Sequence, residues 1–466
     1  MEWEKLLTDE RFFDRKKEGG KPYKNDYDTI ICSTLFRRLQ DKAQVFPLEE
    51  DDYVRTRLTH SLEVSAVGKK LGEYAFQELK KEKKDVWFDN HSEKEFSDIL
   101  LCAGLVHDIG NPPFGHFGEY AVREWFQDHI QDMRLGENKI TDILSSEQLS
   151  DFFNFEGNAQ SLRVLSKTPY LGRMEGFNLS YAVLGTIVKY PVSSGALKAD
   201  NPQKYRKFGY NVSERKLFLA LDRKTGMNGS RHPLSYLLEA ADDIAYRTSD
   251  MEDAMVKQVL NFSQITEAFE YHAAHHMDDE RDRKIVIQCI SKLKDMYQEE
   301  IDNRGRKPEL TAVQRWNQLI QELMIHDAVT SFVRNYEAIM TGKFAGDLFE
   351  GTVSGHMIQA ISKLSEAFIY TSSVKIKTEL FGRRVIDSLL SQFMAAAVKY
   401  DTEEKLTFID CRTMDIVSGF YKSMYRSESE GKSEGERLYL RILMITDYIS
   451  GMTDNYAKRL YKELFA

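Results

Sequence analysis

Apolar residues recur through most of this chain at helical spacing and almost nowhere in alternation, and only 9 of its 466 residues are proline. Proline breaks helices, and half-buried strands alternate with period two, so the pattern predicts an all-α fold with few or no strands. Residues 59–80 place Leu62, Val64, Val67, Leu71, Tyr74, Ala75 and Leu79 mainly on one helical stripe. Residues 97–108 are apolar nearly all round, the mark of a buried helix. Gly110 and Pro112–Pro113 should end it. Residues 234–256 read as a long helix of mixed polarity, with further helices expected at 284–300, 312–340, 355–370, 382–400 and 436–462. Charge-rich or Gly/Pro-bearing stretches at 15–24, 191–210, 275–284 and 426–437 read as linkers too short to separate independent domains. No repeat of 20–50 residues is visible.

Composition excludes several classes. The net charge of −9 argues against non-specific coating of nucleic acid, though not against a local basic site. The four cysteines, at 32, 102, 289 and 411, form no CxxC, so neither a zinc ribbon nor a disulfide framework is expected and reduced thiols in the cytoplasm fit best. The N-terminal MEWEKLLTDERFF has no apolar core of a signal peptide, and no run of 18 apolar residues is present to span a membrane.

Three of the 11 histidines stand in unusual settings: His60, His107 and His116. His107-Asp108 closes the buried helix just before its Gly/Pro stop, where both polar groups are costly unless satisfied. A divalent cation satisfies neutral imidazole and carboxylate together. With His60 near the start of the preceding helix and Asp242 among apolar residues of a later one, two His and two Asp from three helices would make an open metal site. A His-Asp dipeptide alone is weak, since about one is expected by chance. The chain carries its own control in His326-Asp327, mid-helix and without a stop or a second histidine nearby. After the stop, His116 and Glu119 are three residues apart and share a face in a helical turn. A carboxylate on one imidazole nitrogen suits a general acid or base. The alternative is a helix-terminal Glu119 beside a surface His116.

Arg55-Thr-Arg57-Leu-Thr-His60, His107-Asp108 through Gly115-His116-Phe-Gly-Glu119, Phe155-Glu156-Gly157-Asn158-Ala-Gln160, Glu239-Ala-Ala-Asp242-Asp243-Ile-Ala-Tyr246 and Asp447 through Asp454, in this order, closely resemble the HD-superfamily deoxyguanosine triphosphate triphosphohydrolases. The resemblance runs from about residue 37 to 457. It implies an HD-type helical core over 1–270, carrying the metal and phosphate site. A helical region over 271–466 would add base recognition and oligomer contacts in one compact unit. It implies one divalent metal per subunit on His60, His107, Asp108 and Asp242. Mn²⁺ or Mg²⁺ come first, and Fe²⁺, Co²⁺ or Ni²⁺ also suit such ligands. Asp242 is chosen over Asp243 because Asp242, Tyr246 and Asp250 form one i, i+4, i+8 stripe, metal at one end and sugar at the other.

By the same resemblance, His116 and Glu119 are the catalytic pair. Arg57, Asn158, Lys189, Tyr190 and Lys207 match phosphate contacts, and Gln44 and Glu379 match base readers. Glu379 otherwise only pairs with Arg383 one turn on, before a turn at Leu380–Gly382. The implied reaction is hydrolysis of dGTP at the α-phosphorus to deoxyguanosine and tripolyphosphate, by a homo-oligomer (a hexamer by the resemblance) with single-stranded DNA as a possible effector. The other readings are a phosphohydrolase of broader base choice and a nucleotide- or DNA-binding regulator without turnover. Residues 401–435 match no motif, and 167–180 are longer than the pattern. Gly431-Lys432-Ser433 is not a P-loop, because Arg426 stands where its glycine is required. His272, His275 and His276 have helical ligand spacing but run into a charged turn. Glu252 and Asp253 read as a charged helix face.

Overall fold

The computed structural model describes residues 1–13, 22–48, 51–83, 86–169, 176–197 and 207–465. Most of the linker expected at 15–24 and half of that at 191–210 lie outside the described residues, as do 170–175 of the long segment 167–180. The fold is all-α. Among the described residues its one small sheet is an antiparallel hairpin pairing Arg134 with Lys139 and Leu135 with Asn138. Among the described residues, no helix is long and apolar enough to cross a membrane.

Ten of the described helices carry the site or pack behind it: α1 (Arg57–Lys83), α2 (Glu93–Val106), α3 (Gly115–His129), α4 (Gly157–Lys167), α5 (Pro233–Val256), α6 (Pro308–Arg334), α7 (Ser373–Lys399), α8 (Gly419–Ser429), α9 (Glu434–Ser450) and α10 (Asp454–Phe465). Their starts follow from capping chemistry. Ser92 accepts from the Lys94 amide ahead of α2, Pro233 occupies the first turn of α5, and Ser433 with Glu436 closes a capping box on α9. That box explains why the 426–437 stretch, expected as a linker, is only a four-residue turn between α8 and α9.

Several expected helices differ in extent. The one expected over 436–462 is two, because Thr453 Oγ1 accepts from the Tyr456 amide and starts α10 afresh after Gly451. The one expected over 312–340 breaks at Asn335, and that over 355–370 ends in a π turn, Ser365–Ile369. No turn occurs at Leu380–Gly382. Those residues lie inside α7, where a side-chain carbon on Gly382 would come 2.7 Å from the Phe114 ring. The glycine serves close packing there, at a helix-propensity cost of about 1 kcal/mol.

Apolar side chains gather in two cores. One joins α1, α2, α5 and α6 through residues such as Leu71, Leu100, Ile244 and Trp316. The other packs α3 against α7, α9 and α10 through Phe126, Phe393, Leu443 and Leu460. The segment from His107 to Phe114 passes between them: Ile109 belongs to the first core and Phe114 to the second.

Candidate active site

α1 presents His60 on its first turn, α2 delivers His107 and Asp108 at its end, and α5 brings Asp242 across. The ligand atoms of His60, His107 and Asp242 lie within 4.8 Å of one another. Asp242 Oδ1 is 3.2 Å from His60 Nε2 and 3.5 Å from His107 Nε2. His107 Nδ1 faces the Gly104 carbonyl at 2.8 Å, and a carbonyl only accepts, so Nδ1 carries the proton and Nε2 a lone pair. That Nε2 is buried without a hydrogen-bond partner. An unpartnered imidazole nitrogen beside a carboxylate that a second imidazole also meets fits a divalent cation. Asp108 stands one step aside. Its Oδ1 is 3.5 Å from His107 Nε2 and accepts from Asn111 Nδ2 at 2.6 Å, while its Oδ2 accepts from Arg57 Nη1 at 2.5 Å.

Burial opposes charge on Asp108, Asp242 and His107, yet charge partners prevail. Arg57 and His107 hold Asp108 well below the usual carboxylate range. Lys189, 2.9 Å from Asp242 Oδ2, and His107 do the same for Asp242. The two carboxylates in turn raise the pKa of buried His107.

His116 opens α3 with its side chain 73% exposed, its Nδ1 3.4 Å from Glu119 Oε2. Glu119 is buried, which favours the neutral acid, but His116 outweighs this and brings it down to about 2. Glu119 Oε1 accepts from the Gly157 amide at 2.9 Å. A side-chain carbon on Gly157 would come within 2.4 Å of both Glu119 Oε1 and Asn111 Oδ1, so only glycine lets α4 start so close to the pair.

A cavity of about 500 Å³ reaches His107, Asp108, Asp242 and His116, while His60 and Glu119 are buried and do not line it. Gln44, Arg57, His107, Asp108, His116, Asn158, Lys189, Tyr190, Lys207, Asp242 and Tyr246 all line it. Glu156, to which the sequence assigns no role, anchors one wall: buried, it accepts from Asn158 at 2.6 Å and Arg123 at 3.1 Å, with Lys207 at 3.7 Å. Lys207 also lies 6.0 Å from the Tyr190 ring. Asn111, Arg247 and Tyr370, to which the sequence assigns no role, also line the cavity, as does Asp243, set aside in favour of Asp242. Arg247 follows Tyr246 directly and was within reach of the motif. Tyr370, whose hydroxyl is 2.8 Å from that of Tyr246, follows a π turn that leaves no periodic signal.

Asp250 and Glu379 do not line the cavity. Asp250 lies one turn beyond Tyr246, both its oxygens buried and without partners, and burial raises its pKa well above normal. Glu379 pairs with Lys375 at 3.6 Å, and Arg383 goes instead to Glu124 at 2.8 Å. Lys375 reaches the Val45 carbonyl at 3.1 Å, beside Gln44. Of the remaining candidates, His326 is exposed and Asp327 caps Ser354 at 3.0 Å. Glu252 and Asp253 bind Arg55 at 2.9 and 2.7 Å. Ser433 of the false P-loop is the cap of α9. Residues 401–435 supply Glu428, which meets buried Arg163 at 3.1 Å and Lys167 at 3.0 Å away from the cavity.

The HD domain model matches residues 57–165, which hold His60, His107, Asp108, His116 and Glu119. The chain is 40% identical to a deoxyguanosinetriphosphate triphosphohydrolase-like protein of Listeria innocua, over 100% of this chain and 99% of that one. It is 34% identical to a protein of the same description from Pseudomonas aeruginosa LESB58, over 100% and 98%. It is 31% identical to the deoxyguanosinetriphosphate triphosphohydrolase of Yersinia pseudotuberculosis, over 96% and 94%.

Proposed function

We propose that this chain, which belongs to the family of HD-domain deoxyguanosinetriphosphate triphosphohydrolase-like proteins, hydrolyses dGTP at the α-phosphorus to deoxyguanosine and tripolyphosphate. The observation that carries this reading is one cavity lined both by the His107/Asp242 cluster and by Arg57, Lys189 and Lys207. A triphosphate needs cations of this density, and a −9 chain must supply them locally. A divalent cation, Mn²⁺ or Mg²⁺ first and Fe²⁺, Co²⁺ or Ni²⁺ as alternatives, held by His60, His107, Asp242 and Asp108, supplies Lewis acidity and a water of lowered pKa.

The protein's own residues do the rest. Arg57, Lys189 and Lys207 neutralise charge on the polyphosphate, and Asn158 and Tyr190 orient it. As water attacks the α-phosphorus and the bond to the 5′-oxygen breaks, His116, with Glu119 on Nδ1, carries the proton, either taking it from the water or giving one to the departing oxygen. Tyr246 lies against the sugar at C2′, with Asp250 beyond it for the 3′-hydroxyl. GTP would then be a far poorer substrate than dGTP, and Tyr246→Ala would narrow the difference. Equal kcat/KM for the two in the unaltered protein contradicts this.

Gln44 and Glu379 are the proposed base readers. A carboxylate accepts from both guanine N1–H and the 2-amino group, where adenine offers a lone pair at N1. Glu379→Ala should cost dGTP at least ~10-fold in kcat/KM and narrow its gap to dATP. Because Glu379 does not line the cavity and Gln44, which donates or accepts, does, broader base choice is the second reading. A cytoplasmic homo-oligomer, hexameric by the resemblance, with single-stranded DNA as effector completes the proposal.

Incubating the protein with each dNTP and Mn²⁺, with products identified by mass, tests the whole. Tripolyphosphate from dGTP alone supports the first reading and from several dNTPs the second. Orthophosphate or pyrophosphate overturns the site of cleavage, and no product leaves a regulator without turnover.

A further inference from the structure

The segment between α2 and α3 carries Asp108, Asn111 and His116, and it owes its path to residues far outside it. Phe114 takes a left-handed φ of 65°, a conformation that costs a non-glycine residue about 1–3 kcal/mol and persists only where the surroundings impose it. Its amide donates to Asp454 Oδ1 at 2.9 Å, while Asp454 Oδ2 accepts from the Ala43 amide at 3.0 Å. The neighbouring Lys42 sends its ammonium to the Asn111 carbonyl and to the Ser450 carbonyl, the latter at 2.9 Å. The Lys42 carbonyl accepts from the Arg57 amide at 2.8 Å. Both routes end on one carboxylate: Asn111 holds Asp108 Oδ1, and Arg57 holds Asp108 Oδ2.

Lys42 and Asp454 are each 2% exposed, and neither lines the cavity. Burial pushes the Lys42 ammonium down to about 7 and the Asp454 carboxyl up to about 6, so desolvation of both is substantial. Apolar residues of similar shape would fill these places at less cost. What they would lack is a grip on four backbone groups, at residues 43, 111, 114 and 450.

We propose that Lys42 and Asp454 are positioning residues, fastening the α9–α10 joint to the 108–116 segment so that Asp108 and His116 face the cavity in register. The proposal rests on the hydrolase reading for its kinetic arm and stands without it for its metal arm. The experiment uses full-length Lys42→Met, Asp454→Asn and the double variant. Lys42→Gln, one atom too short to span both the Asn111 and Ser450 carbonyls, is to be read if Lys42→Met does not fold. Circular dichroism and thermal melting establish folding, Mn²⁺ affinity is measured by the electron spin resonance of free Mn²⁺, and kcat and KM are measured with dGTP.

The folded single variants should lose about 10–100-fold in kcat with KM changed less than about threefold, and should bind Mn²⁺ more weakly. The double variant should be no worse than the worse single one, since both act through one segment. Folded variants with unchanged kcat and Mn²⁺ affinity, whatever their melting temperature, overturn the proposal, as does a rise in KM alone. If the unaltered protein turns over no dNTP, the hydrolase reading fails, and Mn²⁺ affinity then decides: weakened supports positioning and unchanged overturns it.

Discussion

His107 and His326 each precede an aspartate, and their surroundings separate them. His107 is buried with its Nε2 unpartnered, whereas the side chain of His326 is 77% exposed. His107→Ala should abolish Mn²⁺ retention, and His326→Ala should leave it intact. Equilibrium dialysis reads both, and the reverse outcome would sink the metal assignment. His116→Ala should lower kcat about 10²–10⁴-fold with metal retained. Release of metal would instead make His116 a ligand. Glu119 adds a pH signature. Its folded pKa of about 2 lies below the ordinary 4.5, so its stabilising effect is complete above about 4.5 and fades as pH falls toward 2. The melting-temperature gap between the unaltered protein and Glu119→Gln should therefore shrink on acidification through that window. At this scale the sequence was most legible where a residue sits in a rigid local frame, as His107 does at its helix stop. Tyr370, Glu156 and Lys42 were not legible, because their roles come from partners far along the chain.

Among the elements, α7 packs closely on the 108–116 segment where Gly382 meets the Phe114 ring. Gly382→Ala should improve helix propensity by about 1 kcal/mol, yet overpacking of about 1–3 kcal/mol should exceed it. Urea unfolding with a lower midpoint and unchanged slope is the expected result, together with reduced kcat, since Phe114 adjoins His116. A stabilised variant would show that α7 moves freely away. The helix over 59–80 was readable because Val64, Leu71, Ala75 and Leu79 of its stripe are buried, although Leu62 and Tyr74 of the same stripe are exposed, and that over 97–108 because it is apolar nearly all round. The breaks at Asn335 and after Gly451 were not: Asn335 turns its side-chain amide back to the Ser331 carbonyl, and the second break is set by the Thr453 cap and by Arg38, which donates to the Gly451 carbonyl from far along the chain. Residues 401–435 looked featureless since α8 adds few site groups and mainly carries Glu428 to Arg163.

Across the whole molecule, Arg163 ties the early and late parts together. Its buried guanidinium reaches Asp447 at 2.7 Å, Glu214 at 3.0 Å and Glu428 at 3.1 Å, and Gln160 adds a bond to Asp447 at 2.7 Å. Removing one partner of such a group leaves buried charge uncompensated. Arg163→Met should therefore lose about 3–5 kcal/mol in urea unfolding, far more than an exposed pair such as Arg412–Asp415 would. A loss below about 1 kcal/mol would mean that the carboxylates re-solvate or protonate at little cost. The all-α class was legible from proline scarcity and periodicity. That one core joins α1, α2, α5 and α6 while α3 joins α7, α9 and α10 was not, since pairing between helices distant in sequence leaves no local pattern.

The bond from Phe114 to Asp454 closes a loop of 340 residues. During synthesis at about 5–20 residues per second, the catalytic segment leaves the ribosome well before its distant anchor exists. For on the order of tens of seconds the nascent chain then carries Asp108 and His116 on a backbone free to relax from its left-handed turn. Hydrolytic competence should accordingly appear late and abruptly, when α9 and α10 dock, and not gradually as the first 260 residues fold.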